Sequence, residues 1–346
     1  MKKRILSYDL VRVLAILGVV AIHTENITSS PTNYLGGLSW WFANTIHSLI
    51  IISVPLFIML TGALALKKRR LTYTYVYKKI IKQFTIPLIF WWAYYSHWQI
   101  ELTKFIKTDI GHLYFLQVII GLYLILPLLH RFLQTTRKNQ QYLGLGLITI
   151  LSISYEYLSF FTFKTFNNNH LLLIFLPFIT YLWWGYYLSK LKINTTQWKI
   201  IALAALLLTI IISILTYFNT ISLNSGLKSY WTPNGGNFFW EPFTIPVLLL
   251  SGLVYILLIN IEVIFPQIFT HKKINQILLF LSLNSFGIYL IHPFLLNRID
   301  QYFNLSLHLI SYPLWSYYLQ RTSIVFIISS IFSAILKKIP IIKNIV

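Results

Sequence analysis

Apolar runs of about 17 to 25 residues recur from one end of this chain to the other, and a run of that length spans a bilayer as a helix. The spans lie approximately at 7–24, 45–66, 83–100, 112–130, 142–160, 171–189, 199–219, 244–262, 275–296 and 316–336. Only 10% of the 346 residues are charged, against about 25% in a soluble domain. A chain with so few charges cannot coat a water-facing surface of its size. The sequence predicts an all-α integral membrane protein with about ten transmembrane helices. The last two runs are separated by a mixed stretch, 297–315, long enough for a short interfacial helix. No soluble segment and no internal repeat interrupts the pattern, so residues 1–346 read as a single domain.

The net charge of +20 raises the question of nucleic acid, but a basic groove with stacked aromatics needs a polar domain to carry it. The cations instead sit in short clusters between apolar runs, as in loops held on the cytoplasmic side. With the N-terminus inside, 21 of the 28 Lys and Arg fall on cytoplasmic segments, six fall outside, and Arg12 lies within a span. That asymmetry predicts both termini in the cytoplasm. The start, Met1-Lys-Lys-Arg before an apolar run, has the outline of a signal peptide. No small-x-small cleavage site follows, and the run contains Asp9, Arg12 and His23, so a retained first helix is expected. The chain has no cysteine, which excludes disulfides, a Cys nucleophile and Cys-ligated zinc.

Ionisable groups in hydrocarbon are costly, about 2.5–3.5 kcal/mol for an Arg at a helix centre on insertion scales. Arg12 and His23 share the first helix, eleven residues apart. At 100° per residue they come within about 20° of alignment, separated by about 16 Å along the axis. Asp9, three residues before Arg12, is its neighbour on the helix surface and can neutralise it. The plain alternative is an Arg that snorkels to the inner headgroups and a His at the outer interface.

Asp9-Leu-Val-Arg12, followed after ten residues by His23, resembles the signature of the acyltransferase-3 family of membrane acyltransferases. Further segments resemble the family in order: Ile52-Ser-Val-Pro55-Leu-Phe-Ile-Met-Leu-Thr-Gly62, His112-Leu-Tyr-Phe115-Leu, Gly121-Leu-Tyr123-Leu-Ile-Leu-Pro127 and Ser285-Phe-Gly-Ile-Tyr289-Leu-Ile-His292-Pro. Each is weak alone, but the ordered set covers residues 9 to 293. The short form, without an appended extracellular domain, is similar to bacterial acetyltransferases that modify surface polysaccharides. The resemblance implies a bacterial plasma-membrane enzyme with acyl-CoA, in the first instance acetyl-CoA, as donor substrate and a glycan or lipid-linked saccharide as acceptor. It implies no metal and no tightly bound cofactor. Three histidines can in general hold zinc, yet no local carboxylate-plus-His spacing supports that reading.

The expected topology places His23, His112 and His292 at one depth near the outer face. Ser285, seven residues before His292, shares its helical face, with Tyr289 between them. Each of His112 and His292 reads equally well as a structural histidine. His23 is expected as general base on the acceptor hydroxyl or as an acyl-carrying nucleophile, with Arg12 holding the donor or stabilising charge. Lys78, Lys79 and Lys82, with Lys67-Lys-Arg-Arg70, form the densest basic segment, suited to the phosphates of coenzyme A or to lipid headgroups and topology alone. Here the chain departs from the family, which usually carries arginine before the Ile-Pro of the third helix; lysine offers a point charge and no fork. In the outer loop 220–243, Tyr230, Trp231, Trp240 and Glu241 suit a sugar ring or an interfacial aromatic belt. Glu25 reads as a partner for a polar group or as a solvated carboxylate.

Two other classes fit the composition. A transporter or flippase of a lipid-linked glycan is one, although ion coupling needs deep acidic residues, and all eight acids here lie in loops or toward helix ends. A binding or structural membrane protein is the other, and the joint presence of Arg12 and His23 argues against it.

Overall fold

A computed structural model describes residues 4–25, 35–97, 111–162, 174–224, 238–303, 314–340 and 342–346. In chain order the helices are α1 (Leu6–Thr24), α2 (Leu38–Ile50), α3 (Ser53–Ala65), α4 (Tyr73–Ile80), α5 (Ile86–Tyr95), α6 (Tyr114–Thr135), α7 (Lys138–Thr162), α8 (Ile179–Leu188), α9 (Thr195–Asn224), α10 (Ile245–Ile264), α11 (Lys272–Phe303) and α12 (Leu314–Leu336). No strand occurs among the described residues. Each expected apolar run overlaps a helix among the described residues, the run at 45–66 overlapping two, and the protein is an all-α integral membrane protein. Seven stretches among the described residues are long and apolar enough to cross a bilayer: those built on α1, α2 with α3, α6, α9, α10, α11 and α12.

The helices group into two compact units, one of residues 1–57 with 192–336, the other of 58–191 with 337–346. In the first unit α1 packs against α2, α10, α11 and α12. Val11, Ala15, Ile16 and Val20 have no exposed surface, so α1 is enclosed on most sides, and its few polar groups must find partners inside the protein. Gly18 lets the start of α3 come close, since a Cβ there would lie 2.1 Å from Ser53 Oγ. Asn44 of α2 donates to the carbonyl and to the hydroxyl of Ser213 on α9, both at 2.8 Å.

In the second unit Thr72 caps α4 by accepting from the Tyr75 N–H at 3.3 Å. Between α4 and α5 the chain makes a π-helical turn over Ile81–Thr85. Pro87 follows at the start of α5; lacking an N–H, it cannot complete the regular ladder there, and the backbone widens by one residue. Elsewhere in this unit α3 and α8 cross backbone to backbone. A Cβ on Gly62 would sit 1.8 Å from the Leu182 carbonyl oxygen, and one on Gly185 would sit 2.0 Å from that of Met59. Such closeness is open only to glycine.

Candidate active site

Arg12 and His23 of α1 are held toward opposite ends of the helix by the same neighbour, α11. At the first end, Arg12 Nη1 donates to Ser282 Oγ on α11 at 2.8 Å and lies 3.4 Å from Asp9 Oδ1. Ser282 in turn donates to Asp9 Oδ1 at 2.7 Å. Arg4 pairs with the same carboxylate, whose side chain is 5% exposed. That bond holds the Arg4 guanidinium above its ordinary pKa, against the opposing effect of burial. One buried anion is thus offset by two cations and a hydroxyl, as a desolvated charge requires. Glu262 of α10 accepts from the Ser7 N–H at 3.2 Å, satisfying one of the unpaired donors of the first turn of α1.

At the other end, the rings of His23 and His292 lie 5.1 Å apart between centroids, tilted by 43°. His292 has no exposed surface, whereas His23 keeps an exposed edge. His292 Nδ1 is 3.1 Å from the Ile288 carbonyl oxygen. A carbonyl only accepts, so Nδ1 carries the proton and Nε2 is the basic nitrogen of the neutral ring. Tyr289 stands 6.3 Å from His292 between ring centroids.

Glu25, the residue just past α1, has a side chain 3% exposed, with its Oε2 3.6 Å from His47 Nδ1. The His47 ring stacks on Trp240 at 4.0 Å and 18°, and Trp240 Nε1 donates to Ser48 Oγ at 3.1 Å. His47 is a near neighbour of His23, and Tyr318 of Glu25. Arg321 of α12 closes the group from the side. Its Nη1 donates to the Thr24 carbonyl at 2.6 Å, and its remaining edge pairs with Asp300.

Residues 5–336 match the family model of the acyltransferase-3 acyltransferase domain. The chain belongs to that family. No curated protein and no solved structure matches it. This membrane acyltransferase carries the resemblance noted in its motifs across both compact units, and Asp9, Arg12, His23, Ser285, Tyr289 and His292 of the candidate site lie within those motifs.

The acyltransferase brings several of the sequence candidates together in its first unit: Arg12, His23, Glu25, Trp240, Ser285, Tyr289 and His292. Arg12 and His23 both meet α11, Arg12 through Ser282 and His23 through His292. Trp240 is 8% exposed and its ring is used against His47. Ser285 is 5% exposed and donates back to the Ser282 carbonyl at 3.0 Å, one turn earlier in its own helix. Glu241 is exposed beside Trp240. Trp231 lies outside the described residues.

In its second unit the acyltransferase holds the remaining candidates. His112 sits in a short 3-10 turn, its ring edge-on to Tyr95 at 5.0 Å. Lys79 donates to the Tyr123 hydroxyl at 2.6 Å, which ties α4 to α6. Lys78 and Lys82 are exposed. Of the neighbouring cluster, Lys67 donates to the Ser189 carbonyl at 3.1 Å, and Lys68 donates to the Tyr75 hydroxyl at 2.7 Å. Partial burial, with Lys190 adding to it, pulls the Lys67 ammonium below its ordinary pKa, while the bond from Lys68 lowers that of the Tyr75 phenol. Among the described residues no group of three or more His, Cys, Asp or Glu is placed to hold a metal ion.

Sequence reasoning passed over His47 and the Arg321–Asp300 pair. A signal for His47 was present: an imidazole at the start of the second apolar run, at the depth expected for His23. Arg321 is one of the six cations that the expected topology puts outside, and nothing local to it announces that Asp300, 21 residues earlier, neutralises it.

Proposed function

We propose that this membrane acyltransferase moves an acyl group, in the first instance acetyl, from cytoplasmic acyl-CoA to a hydroxyl of a cell-surface or lipid-linked glycan. The observation that carries the reading is the placement of Arg12 and His23 on one side of α1, Arg12 bonded to Ser282 and His23 packed on His292. An imidazole with an exposed edge at one end of a membrane helix, and a guanidinium at the other, suits a reaction whose two substrates come from opposite sides of a bilayer.

His23 takes the proton of the acceptor hydroxyl as the oxygen attacks the thioester carbonyl. The C–S bond breaks as the C–O bond forms, and the proton passes from His23 to the departing CoA thiolate. Arg12 holds the donor or stabilises charge along its route, and His292 keeps the His23 ring in place. Lys78 and Lys82, exposed on and beside α4, offer cations to the CoA phosphates, with Lys79 held on Tyr123. His112 is kept as a catalytic candidate by its place in the motif His112-Leu-Tyr-Phe115-Leu. Glu25, Trp240, Glu241, Ser285, Tyr289 and Trp231 belong to the acceptor side, the buried ones by shaping its wall. In this reading the enzyme sits in a bacterial plasma membrane with both chain ends on the cytoplasmic side, a topology that the distribution of Lys and Arg supports.

The test is transfer of radiolabelled acetyl from acetyl-CoA to glycan by the protein purified in detergent, alongside the His23→Ala variant. Glycan labelling by the wild type and not by the variant is the expected result. Equal labelling by both would remove His23 from the chemistry. Glycan translocation in proteoliposomes without any acetylation would favour a flippase.

A further inference from the structure

A cavity of about 380 Å³ lies on the back of α1. Leu14, Leu17, Gly18 and Ala21 form one wall, and Tyr318 and Thr322 of α12 form another. The four α1 residues recur at i, i+3, i+4 and i+7. At 100° per residue they face roughly half a turn away from Arg12 and His23. Leu14, Leu49 and Leu319 on the cavity rim are exposed, so in a membrane the opening meets lipid.

The lining is more apolar than its residue names suggest. Thr322 donates to the Tyr318 carbonyl at 2.9 Å, Ser323 to that of Leu319 at 2.8 Å, and Ser53 to that of Ile50 at 2.5 Å. With those protons committed to helix carbonyls, a hydrated ligand finds few partners, whereas an alkyl chain gives up nothing by entering. Tyr318 is the exception. It is 1% exposed, and its hydroxyl has no protein hydrogen-bond partner among the described residues. Tyr318 and Thr322 lie at the end of the cavity nearest the candidate site, where the Thr322 and Thr24 hydroxyls meet at 2.6 Å. Since α1 ends at Thr24, the back of the helix and its His23 side join over that end.

We infer that this cavity seats the hydrocarbon tail of a lipid-linked acceptor, with the tail along Leu14 to Ala21 and the polar head turned over the end of α1 toward His23. The inference rests on the acyl-transfer reading and narrows its acceptor from any glycan to one carried on a lipid.

The experiment uses the full-length protein in nanodiscs with two photoreactive probes, a polyprenyl-phosphate-linked sugar and a phospholipid, each bearing a diazirine in its tail. The polyprenyl probe should label peptides of α1 and α12 that line the cavity. The cavity-filling variants Leu17→Trp and Ser323→Trp should each lower that labelling, and acetyl transfer to the lipid-linked sugar, by about tenfold. Both should keep transfer to a water-soluble methyl glycoside at the wild-type rate. Labelling confined to other peptides, cavity labelling by the phospholipid alone, or undiminished transfer to the lipid-linked sugar in both variants would overturn the proposal. Because labelling needs no turnover, a wild type that labels as expected but transfers nothing would count against the acyl-transfer reading and leave the cavity assignment standing.

Discussion

Arg12 donates to the Ser282 hydroxyl at 2.8 Å, and Ser282 in turn donates a hydrogen bond to Asp9 at 2.7 Å. Asp9 keeps Arg4 as a second cation when Arg12 is removed. Arg12→Ala should therefore insert and fold while losing about 10²–10³-fold in acetyl transfer, the range for deletion of a preorganised charge-stabilising donor. Arg12→Lys should recover little, because an ammonium cannot reach Ser282 and Asp9 with the fixed geometry of a guanidinium. Monodispersity in detergent, measured beside turnover, separates the two effects. A fully active Arg12→Lys would show that charge alone suffices.

His23→Ala should lower turnover by about 10²–10⁴-fold, the usual contribution of a general base. His292→Ala should cost less, about tenfold, since it touches the base and not the acceptor. A His292 variant more damaging than the His23 variant would reverse the two roles.

Breaking the Arg321–Asp300 pair leaves a charge without its partner. Arg321 is 7% exposed and the Asp300 side chain 37%, so Asp300→Asn should destabilise by about 2–3 kcal/mol, below the range for a fully buried pair. Replacing both by apolar residues should recover part of that loss. Thermal unfolding of the two single variants and the double variant in one detergent gives the coupling.

Gly62→Ala and Gly185→Ala each place a methyl group inside contact distance of a carbonyl oxygen on the crossing helix. Each should destabilise by about 3 kcal/mol or more, the upper part of the range for overpacking, because backbone yields less than side chain. Gly146, where a Cβ meets nothing within 4 Å, is the control, and Gly146→Ala should be neutral or slightly stabilising. Fluorescence-detected size exclusion after a heat step ranks all three.

The shared face of Arg12 and His23 was legible because helical periodicity is a property of one segment, and the Asp9–Arg12 pairing because it is a neighbour relation three residues apart. What these side chains turn toward was not legible: Ser282 and His292 lie 270 and 269 residues farther along the chain, and spacing within one helix says nothing about its partner. The second apolar run was expected to begin at residue 45, but α2 starts at Leu38, because Trp40 and Trp41 look like interfacial residues and yet extend the helix, packing around Tyr217. The interruption between α2 and α3 was equally hidden, since Ile50-Ile-Ile-Ser reads as uninterrupted hydrocarbon. Trp240 was expected as an aromatic surface and is instead spent on His47, a pairing that depends on two segments 193 residues apart.

The hold of Arg321 on the Thr24 carbonyl has a consequence for biosynthesis. The first membrane helix leaves the ribosome about three hundred residues before its clamp does, and helices enter the bilayer in the order of their synthesis. Until α12 is inserted, the end of α1 that bears His23 lacks the Arg321 guanidinium that holds it, so a nascent chain stalled short of α12 would be anchored in the membrane with its candidate site unfinished.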